Sequence, residues 1–261
     1  MERALWTAAA GMAVQQTNLD VISNNLANVN TTGFKKSRAE FQDLLYQTVN
    51  APGTASSSST NLPSGVQIGL GAKTAAVKRM FVQGDFKNTG NSLDVIIAGD
   101  GFFKVSKPDG TQVYTRDGAF QVNESGNVVT NQGFLLDPPI VIPPDAKGVT
   151  IGADGTVSVQ QPDNTTAQVG TIELARFVNP GGLQSLGNNL YAPTVASGDA
   201  LLGSAGKEGF GELQQGFLET SNVEIVNELV DMITAQRAYE LNSRAIRASD
   251  EMLQQVAQLV R

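Results

Sequence analysis

The sequence predicts an α+β fold in which the N- and C-terminal helices pair as a coiled-coil-like domain and the central domain is all β. Apolar residues recur every seven positions near the N-terminus and again over a longer stretch at the C-terminus, as they do in helices that pack along one seam. Between these stretches the period changes to two, and Asp-Gly pairs mark tight turns. We expect residues 1–34 plus 221–261 to form a helical assembly domain, 35–75 a linker region and 76–220 a β-rich domain.

The first helix is predicted from residue 3 to about residue 28. Two rows of residues spaced by seven run along it, which are Leu5, Met12, Leu19 and Leu26, and Ala8, Gln15, Ile22 and Val29. The predicted subunit interface takes from them Leu5, Met12, Leu19, Ile22, Leu26 and Val29. The apolar run from Ala4 to Val14 is too short to span a bilayer. Because the seven-residue period passes through it unbroken, we expect no cleaved signal peptide.

The linker region begins with the densest positive cluster of the chain, Lys35, Lys36 and Arg38. A solvated turn after the helix is the simplest interpretation of these three charges. The segment from Asn50 to Ser64 is dominated by Ser, Thr, Pro, Gly and Asn, a composition that predicts a flexible loop. A loop of this length in a compact domain is usually functional or disordered.

The central region alternates short apolar segments with turn residues. The predicted strands are Leu93–Ala98, Phe102–Val105, Gln112–Thr115, Ala119–Val122, Asn127–Thr130, Ile140–Ile142, Thr156–Val159 and Thr171–Phe177. Turn pairs such as Asp109-Gly110 and Asp154-Gly155 separate them. Strands at this regular spacing are typical of an all-β domain built from local hairpins.

The last helix is predicted from about Ser221 to the C-terminus. Its apolar ladder consists of Ile225, Met232, Tyr239, Ile246, Leu253 and Val260. At about 1.5 Å per residue such a helix is a rod of about 54 Å, which one small β domain does not cover. We therefore assign the ladder to an interface with the N-terminal helix and with neighbouring subunits.

Composition excludes several kinds of chemistry. The chain contains no cysteine and no histidine, which removes disulfides, thiolate zinc sites and every Ser-His-Asp arrangement, and we expect no cofactor. The net charge of −7 without a basic stripe argues against nucleic acid as a partner. A secreted carbohydrate-active enzyme using Asp94, Asp100 or Glu173 is one alternative, but these acids fall in predicted turns and alternating strands. An adhesin with a helical stalk is another.

Three blocks of sequence point to one family. Residues 23–35 (SNNLANVNTTGFK), residues 99–103 (GDGFF) with the following turns, and the tail blocks ETSNV at 219–223 and MITAQRAYE at 232–240 resemble the bacterial flagellar axial proteins, the subunits of the rod and hook. The resemblance spans nearly the whole chain in the right order. Residues 1–12, the chain length and the Ser-rich insertion ending at Gly65 are most similar to the distal rod branch, with proximal rod or hook-type subunits as the alternative.

The resemblance implies a non-enzymatic structural subunit that polymerises helically into the drive shaft of the flagellum. It implies export without cleavage through the flagellar type III pathway, and a rod that crosses the periplasm without insertion into a membrane. The implied partners are further copies of the chain, other rod proteins, the hook protein and the surrounding basal-body rings. We further expect Pro52, Leu62 and Pro63 to anchor the Ser-rich loop across neighbouring subunits.

Overall fold

The computed structural model describes residues 2–51, 55–57, 60–61 and 64–259. It divides the chain into two compact units. Unit 1 combines the chain up to Leu26, Ser37–Lys78 and the chain from Glu224 onward, and unit 2 combines Ala27–Lys36 with Arg79–Val223. Terminal helices and a central β-rich region confirm the predicted α+β fold.

Unit 1 contains the two α-helices of the described residues, α1 (Glu2–Ala27) and α2 (Ile225–Leu259). Its strands are β1 (Ser37–Asp43), β2 (Tyr46–Asn50), β3 (Ala55–Ser57), β4 (Thr60–Asn61), β5 (Val66–Gly69) and β6 (Ala72–Arg79). They form three separate pairs, β1 with β6, β2 with β5, and β3 with β4. The region between residues 35 and 75 therefore contains paired strands as well as the Ser-rich segment.

Neither described helix is apolar enough over the length that a bilayer requires. In both helices, polar residues alternate with the apolar residues of the seven-residue pattern.

Unit 2 is built from many short strands. They are β7 (Phe86–Asn88), β8 (Val95–Ala98), β9 (Phe102–Ser106), β10 (Gln112–Thr115), β11 (Phe120–Val122), β12 (Val128–Thr130), β13 (Leu135–Leu136), β14 (Gly148–Ile151), β15 (Thr156–Gln160), β16 (Thr166–Thr171), β17 (Glu173–Arg176), β18 (Gln184–Gly187), β19 (Leu190–Ala192), β20 (Leu201–Ser204), β21 (Glu212–Gln215) and β22 (Phe217–Glu219). One 3-10 turn, Pro180–Gly182, precedes β18.

A nine-stranded sheet forms the centre of unit 2. Its main path runs β11-β12-β13-β9-β10-β19-β18, and β17 pairs with both β9 and β20. A three-stranded sheet, β14-β15-β16, and the pairs β8-β21 and β7-β22 complete the unit. The pairs β7-β22 and β8-β21 join strands more than one hundred residues apart in sequence, so the end of the β region folds back onto its beginning.

The core of unit 2 explains why these strands assemble. Alternating residues of β8, β9, β10 and β17 enter one apolar cluster, in which Phe103, Val105 and Leu174 are fully buried. A second cluster is aromatic, and the rings of Tyr114 and Phe177 meet edge to face with centroids 4.9 Å apart. Each large apolar side chain buried in this way contributes about 1.5–3 kcal/mol relative to an exposed one.

Most of the predicted strands are present within one or two residues of the expected bounds. Ile140–Ile142 is the main difference, because only Val141 forms an isolated bridge, with Asn127. Ile140 and Ile142 nevertheless lie in the core. The alternation of apolar residues at these positions thus correctly indicates buried side chains, but it does not indicate a strand of the sheet.

Candidate assembly interface

The two helices of unit 1 touch at two described points. Near the end of α1, Asn25 Nδ2 donates a hydrogen bond to Glu228 Oε2 at 3.1 Å, at the start of α2. Nearer the beginning of α1, Gly11 lies against Asn242, and a Cβ on Gly11 would lie 2.9 Å from Asn242 Nδ2. The helices therefore run in opposite directions past each other.

The buried face of α2 carries small and polar side chains instead of the large apolar ladder. Glu228, Ala235 and Ser249 are buried, and Asn242 between them is half-buried. These four residues are spaced by seven, so they share one side of the helix. We call them the polar ladder of α2. On α1 the buried apolar residues are Ala8, Val14 and Ile22.

The predicted interface residues differ widely in exposure within the single chain. Ile22 is buried, whereas Leu5, Met12, Leu19, Leu26, Val29, Met232, Ile246 and Leu253 are half-buried and Ile225 and Tyr239 are exposed. Val260 lies outside the described residues, as do the loop anchors Pro52, Leu62 and Pro63. The described part of the predicted α2 ladder is thus only partly covered in one copy.

Sequence reasoning missed part of the exposed apolar surface of α2. Beyond Ile225, the large apolar side chains exposed in its first turns are Val226, Leu229, Val230 and Ile233. We call these five residues the outer apolar patch. A strict seven-residue count passes over most of them, but the steps of three and four from Val226 to Val230 to Ile233 mark one helix face.

Unit 2 holds a buried ion cluster next to the ends of its two chain segments. Lys35 Nζ lies 2.5 Å from Glu219 Oε1 and donates to the Val82 carbonyl at 2.8 Å. The Lys35 side chain is 0% exposed, so the expectation of a solvated turn is wrong for this residue. The reason is long-range, because the matching carboxylate lies 184 residues away in the sequence.

Arg116 completes the cluster. Its guanidinium donates to the Gly99 carbonyl at 2.7 Å, and its Nε lies 3.8 Å from Glu219 Oε2. Burial lowers the pKa of Lys35 below its ordinary value, an effect that the Glu219 carboxylate opposes and Arg116 reinforces. Burial likewise lowers the pKa of Arg116, and Glu219 again opposes the shift. Glu219 therefore offsets the cost of burying two cations.

Asn222 ties three segments of unit 2 together. Its Oδ1 accepts from the Lys36 N–H at 2.7 Å, and its Nδ2 donates to the carbonyls of Met80 and Val82 at 2.9 and 3.0 Å. The Gly33 N–H donates to the Glu219 carbonyl at 2.8 Å. Gly33 has φ +66°, and a Cβ there would lie 2.8 Å from the Arg116 backbone, so this contact depends on glycine.

The three carboxylates considered as catalytic residues of an enzyme lie in different parts of unit 2. Asp94 accepts from the Thr89 hydroxyl at 2.6 Å and from Asn91 at 2.9 Å, closing a turn. Asp100 lines a cleft of about 410 Å³ that also contains Arg116 and three phenylalanines, and Glu173 begins β17. No three acidic side chains of the described residues are placed to hold a metal ion together.

Comparison with known proteins places this architecture in one class. Family models described as "Flagella basal body rod protein", "Flagellar hook protein FlgE/F/G D1 domain" and "Flagellar basal body rod FlgEFG protein C-terminal" match residues 5–35, 96–159 and 214–259. The chain is thus an axial protein of the flagellar rod and hook class, as the sequence blocks indicated.

Whole-chain relatives identify the branch. The chain is 52% identical to the flagellar basal-body rod protein FlgG of Borreliella burgdorferi, over 97% of both chains. It is 50% identical to FlgG of Buchnera aphidicola subsp. Schizaphis graminum, over 98% and 99%, and 41% identical to FlgG of Bacillus subtilis over 100% of both. The chain belongs to the FlgG family of distal rod proteins. It is a structural subunit of the flagellar rod, in a family without enzymatic function.

Proposed function

We propose that the chain polymerises helically with further copies of itself, with α1 and α2 paired as a coiled-coil-like unit and the outer apolar patch of α2 contacting a neighbouring copy. The burial pattern of α2 carries this proposal. Within one chain the helix buries its small and polar ladder, which leaves its largest apolar side chains for other contacts. Contiguous apolar surface of this kind marks interaction sites.

The energy available at the patch supports self-association. Val226, Val230 and Ile233 are 73%, 54% and 57% exposed. Burying an apolar side chain of this size contributes about 1.5–3 kcal/mol. One contact of this size is partly offset by the lost freedom of the bound copy. A helical lattice repeats it for every subunit, so we expect polymers to form above a threshold concentration.

Membership of the rod family supports the wider assignment. We propose that the assembly domain is formed by residues 1–34 plus 221–261, followed by a linker at 35–75 and a β-rich domain at 76–220. The rod crosses the periplasm, contacts other rod proteins, the hook protein and the basal-body rings, and receives its subunits without cleavage of a signal peptide. The Ser-rich loop bridges neighbouring copies.

The test is polymerisation of the purified full-length chain. The variant Val230→Asp/Ile233→Asp places two carboxylates in the outer apolar patch, where burial without a partner is costly. We expect wild-type protein to form straight tubular polymers, visible by electron microscopy and sedimenting rapidly. The variant should stay monomeric with an unchanged unfolding midpoint, because both positions are exposed in the single chain.

Gln236→Asp/Gln255→Asp is the matched control, since it adds the same charge to exposed positions of α2 without removing apolar area. This control should polymerise. Tubes of normal appearance from Val230→Asp/Ile233→Asp would contradict the role of the patch. Failure of the wild-type chain to polymerise at any concentration reached would contradict helical self-assembly itself.

A further inference from the structure

The contacts between α1 and α2 define a single antiparallel register. Asn25 and Gly11 are fourteen residues apart on α1, and their partners Glu228 and Asn242 are fourteen residues apart on α2 in the opposite order. Both contacts therefore belong to the same alignment of the two helices. A slip of one heptad would move α2 by about 10.5 Å along α1.

The first contact is a buried polar pair. Asn25 is 2% and Glu228 5% exposed. The amide of Asn25 is also held by Ser37, whose carbonyl accepts at 2.8 Å and whose N–H donates at 2.9 Å. The Asn25 amide is thereby held in place by Ser37 independently of Glu228. Polar residues at single positions of a helix seam fix register at a cost in stability.

The second contact is steric. A Cβ on residue 11 would lie 2.9 Å from Asn242 Nδ2 and 3.3 Å from its Cγ. With any other residue opposite it, the Asn242 side chain would have to turn away from α1. A slip of one heptad would place Ala4 or Asn18 there instead, and both carry a Cβ.

Each contact disfavours a slip of one heptad that the other contact would tolerate. In one direction, a heptad slip brings Asn18 opposite Glu228, so the carboxylate would find a substitute amide, and only the clash at Asn242 opposes the slip. In the other direction Glu228 passes beyond Ala27, where α1 ends, and loses its amide partner. The seven-residue apolar pattern alone accepts all three alignments, because each of them keeps the seam intact.

We propose that Asn25–Glu228 and Gly11–Asn242 together set the register in which the two terminal helices pair within one chain. This inference rests on the helix pairing advanced under the proposed function. A fixed register holds the outer apolar patch at one height along the helix pair, so that each copy presents the same surface to the next.

Cysteine cross-linking of the monomeric full-length chain tests the proposal cleanly, because the chain has no cysteine of its own. Val14→Cys is combined in turn with Tyr239→Cys, Met232→Cys and Ile246→Cys. The first pair lies opposite in the observed register, and the other two lie opposite only after a slip of one heptad in either direction. Oxidation, or a short thiol cross-linker, followed by mass spectrometry counts the three intrachain products.

In the otherwise unchanged chain, the product joining positions 14 and 239 should dominate. Removing both contacts with Glu228→Ala/Asn242→Ala should lower the ratio of that product to the slipped products at least about tenfold, since a buried hydrogen bond to a charged group such as Asn25–Glu228 discriminates by about this factor on its own. Ser249→Ala is the control. It alters the same ladder at a position outside both contacts and should leave the ratio unchanged.

The outcomes separate this inference from the proposed function. Absence of the 14–239 product in the unchanged chain would overturn the helix pairing and the inference with it. The same dominant 14–239 product in Glu228→Ala/Asn242→Ala would overturn the register assignment alone. Loss of all three products from that variant, together with a fall in helical circular dichroism, would show that the contacts only stabilise the pair, and would also overturn the assignment.

Discussion

Replacing Lys35 with methionine should destabilise unit 2 by about 3–5 kcal/mol, the usual cost of removing one partner from a buried ion pair. The substitution keeps most of the side-chain volume but removes the ammonium group that lies 2.5 Å from Glu219 Oε1. The carboxylate would keep the Gly84 N–H at 3.0 Å. Arg116 Nε, at 3.8 Å, is too far away to replace the lost contact.

The assay is thermal unfolding of the monomeric full-length chain at pH 7, followed by near-ultraviolet circular dichroism. Tyr114 and Tyr191 are buried in unit 2, so their near-ultraviolet signal should be lost when this unit unfolds. At roughly 2–4 °C per kcal/mol for a body of this size, the midpoint should fall by roughly 6–20 °C. Lys87→Met, an exposed lysine on β7, should change it by about 2 °C or less.

A double-mutant cycle separates the pair from its parts. Glu219→Leu alone should also be strongly destabilising, because it leaves two buried cations with fewer partners. The variant Lys35→Met/Glu219→Leu should lose clearly less than the two single losses added together. A loss below about 1 kcal/mol for Lys35→Met, or strict additivity in the cycle, would refute the reasoning.

Two further changes test unit 2. Burial raises the pKa of Asp117 above its ordinary 3.8, although hydrogen bonds from Ala119 N–H and Thr32 Oγ1 act in the opposite direction. The folded state therefore holds the Asp117 proton more tightly than the unfolded state does. This contribution to stability is present below the ordinary pKa and is lost as pH rises through the folded pKa. Asp117→Asn should reduce the dependence of the free energy of unfolding on pH, measured by denaturant titration at several pH values. An unchanged dependence on pH would contradict the prediction. Gly118→Ala would place a Cβ 1.7 Å from the Val95 carbonyl oxygen, so it should lower the free energy of unfolding by about 3 kcal/mol or more. Gly148 has open space around it, so the control Gly148→Ala should cost about 0.5 kcal/mol or less. Equal unfolding midpoints for the two variants would contradict the predicted clash at residue 118.

The elements with strong periodic patterns were predictable. The helix predicted from residue 3 to about 28 is Glu2–Ala27, because heptad spacing and helix geometry coincide over many turns. Hairpins such as β9 with β10 were predictable too, since an Asp-Gly turn joins them locally. The pairs β7-β22 and β8-β21 were not, because nothing local links strands more than one hundred residues apart.

The surroundings of charged and polar side chains were the hardest to predict. Lys35 sits in a run of basic residues that is typical of a solvated turn, and only the folded chain brings Glu219 to it. On α2 the heptad count predicted a ladder that contacts the N-terminal helix and neighbouring subunits, but it did not indicate which row is most buried within one chain. Within one chain the most buried residues of α2 are Glu228, Ala235 and Ser249. Because large apolar residues such as Val226 and Ile233 are exposed in the single chain, burial on this helix does not follow hydrophobicity in the usual way.

The extent of the β-rich body leads to the last prediction. The sequence predicted it at residues 76–220, whereas in the structure Ala27–Lys36 belongs to the same compact unit. The added segment brings Lys35 to Glu219, and its Thr32 donates to Asp117 Oδ1 at 3.1 Å. A truncated chain of residues 27–223 should therefore unfold cooperatively within a few degrees of the full chain, as judged by the same tyrosine signal.

A truncated chain of residues 76–220 should instead melt lower by roughly 6–20 °C, as Lys35→Met does, because Glu219 again loses the cation that lies 2.5 Å from it. Adding Glu219→Leu to this shorter chain should recover part of the loss, since it removes the unpaired charge. The same substitution in residues 27–223 should lower the midpoint. Equal midpoints for the two truncated chains would show that residues 27–36 do not stabilise the β-rich body. The N-terminal boundary of that body would then be residue 76, as the sequence predicted.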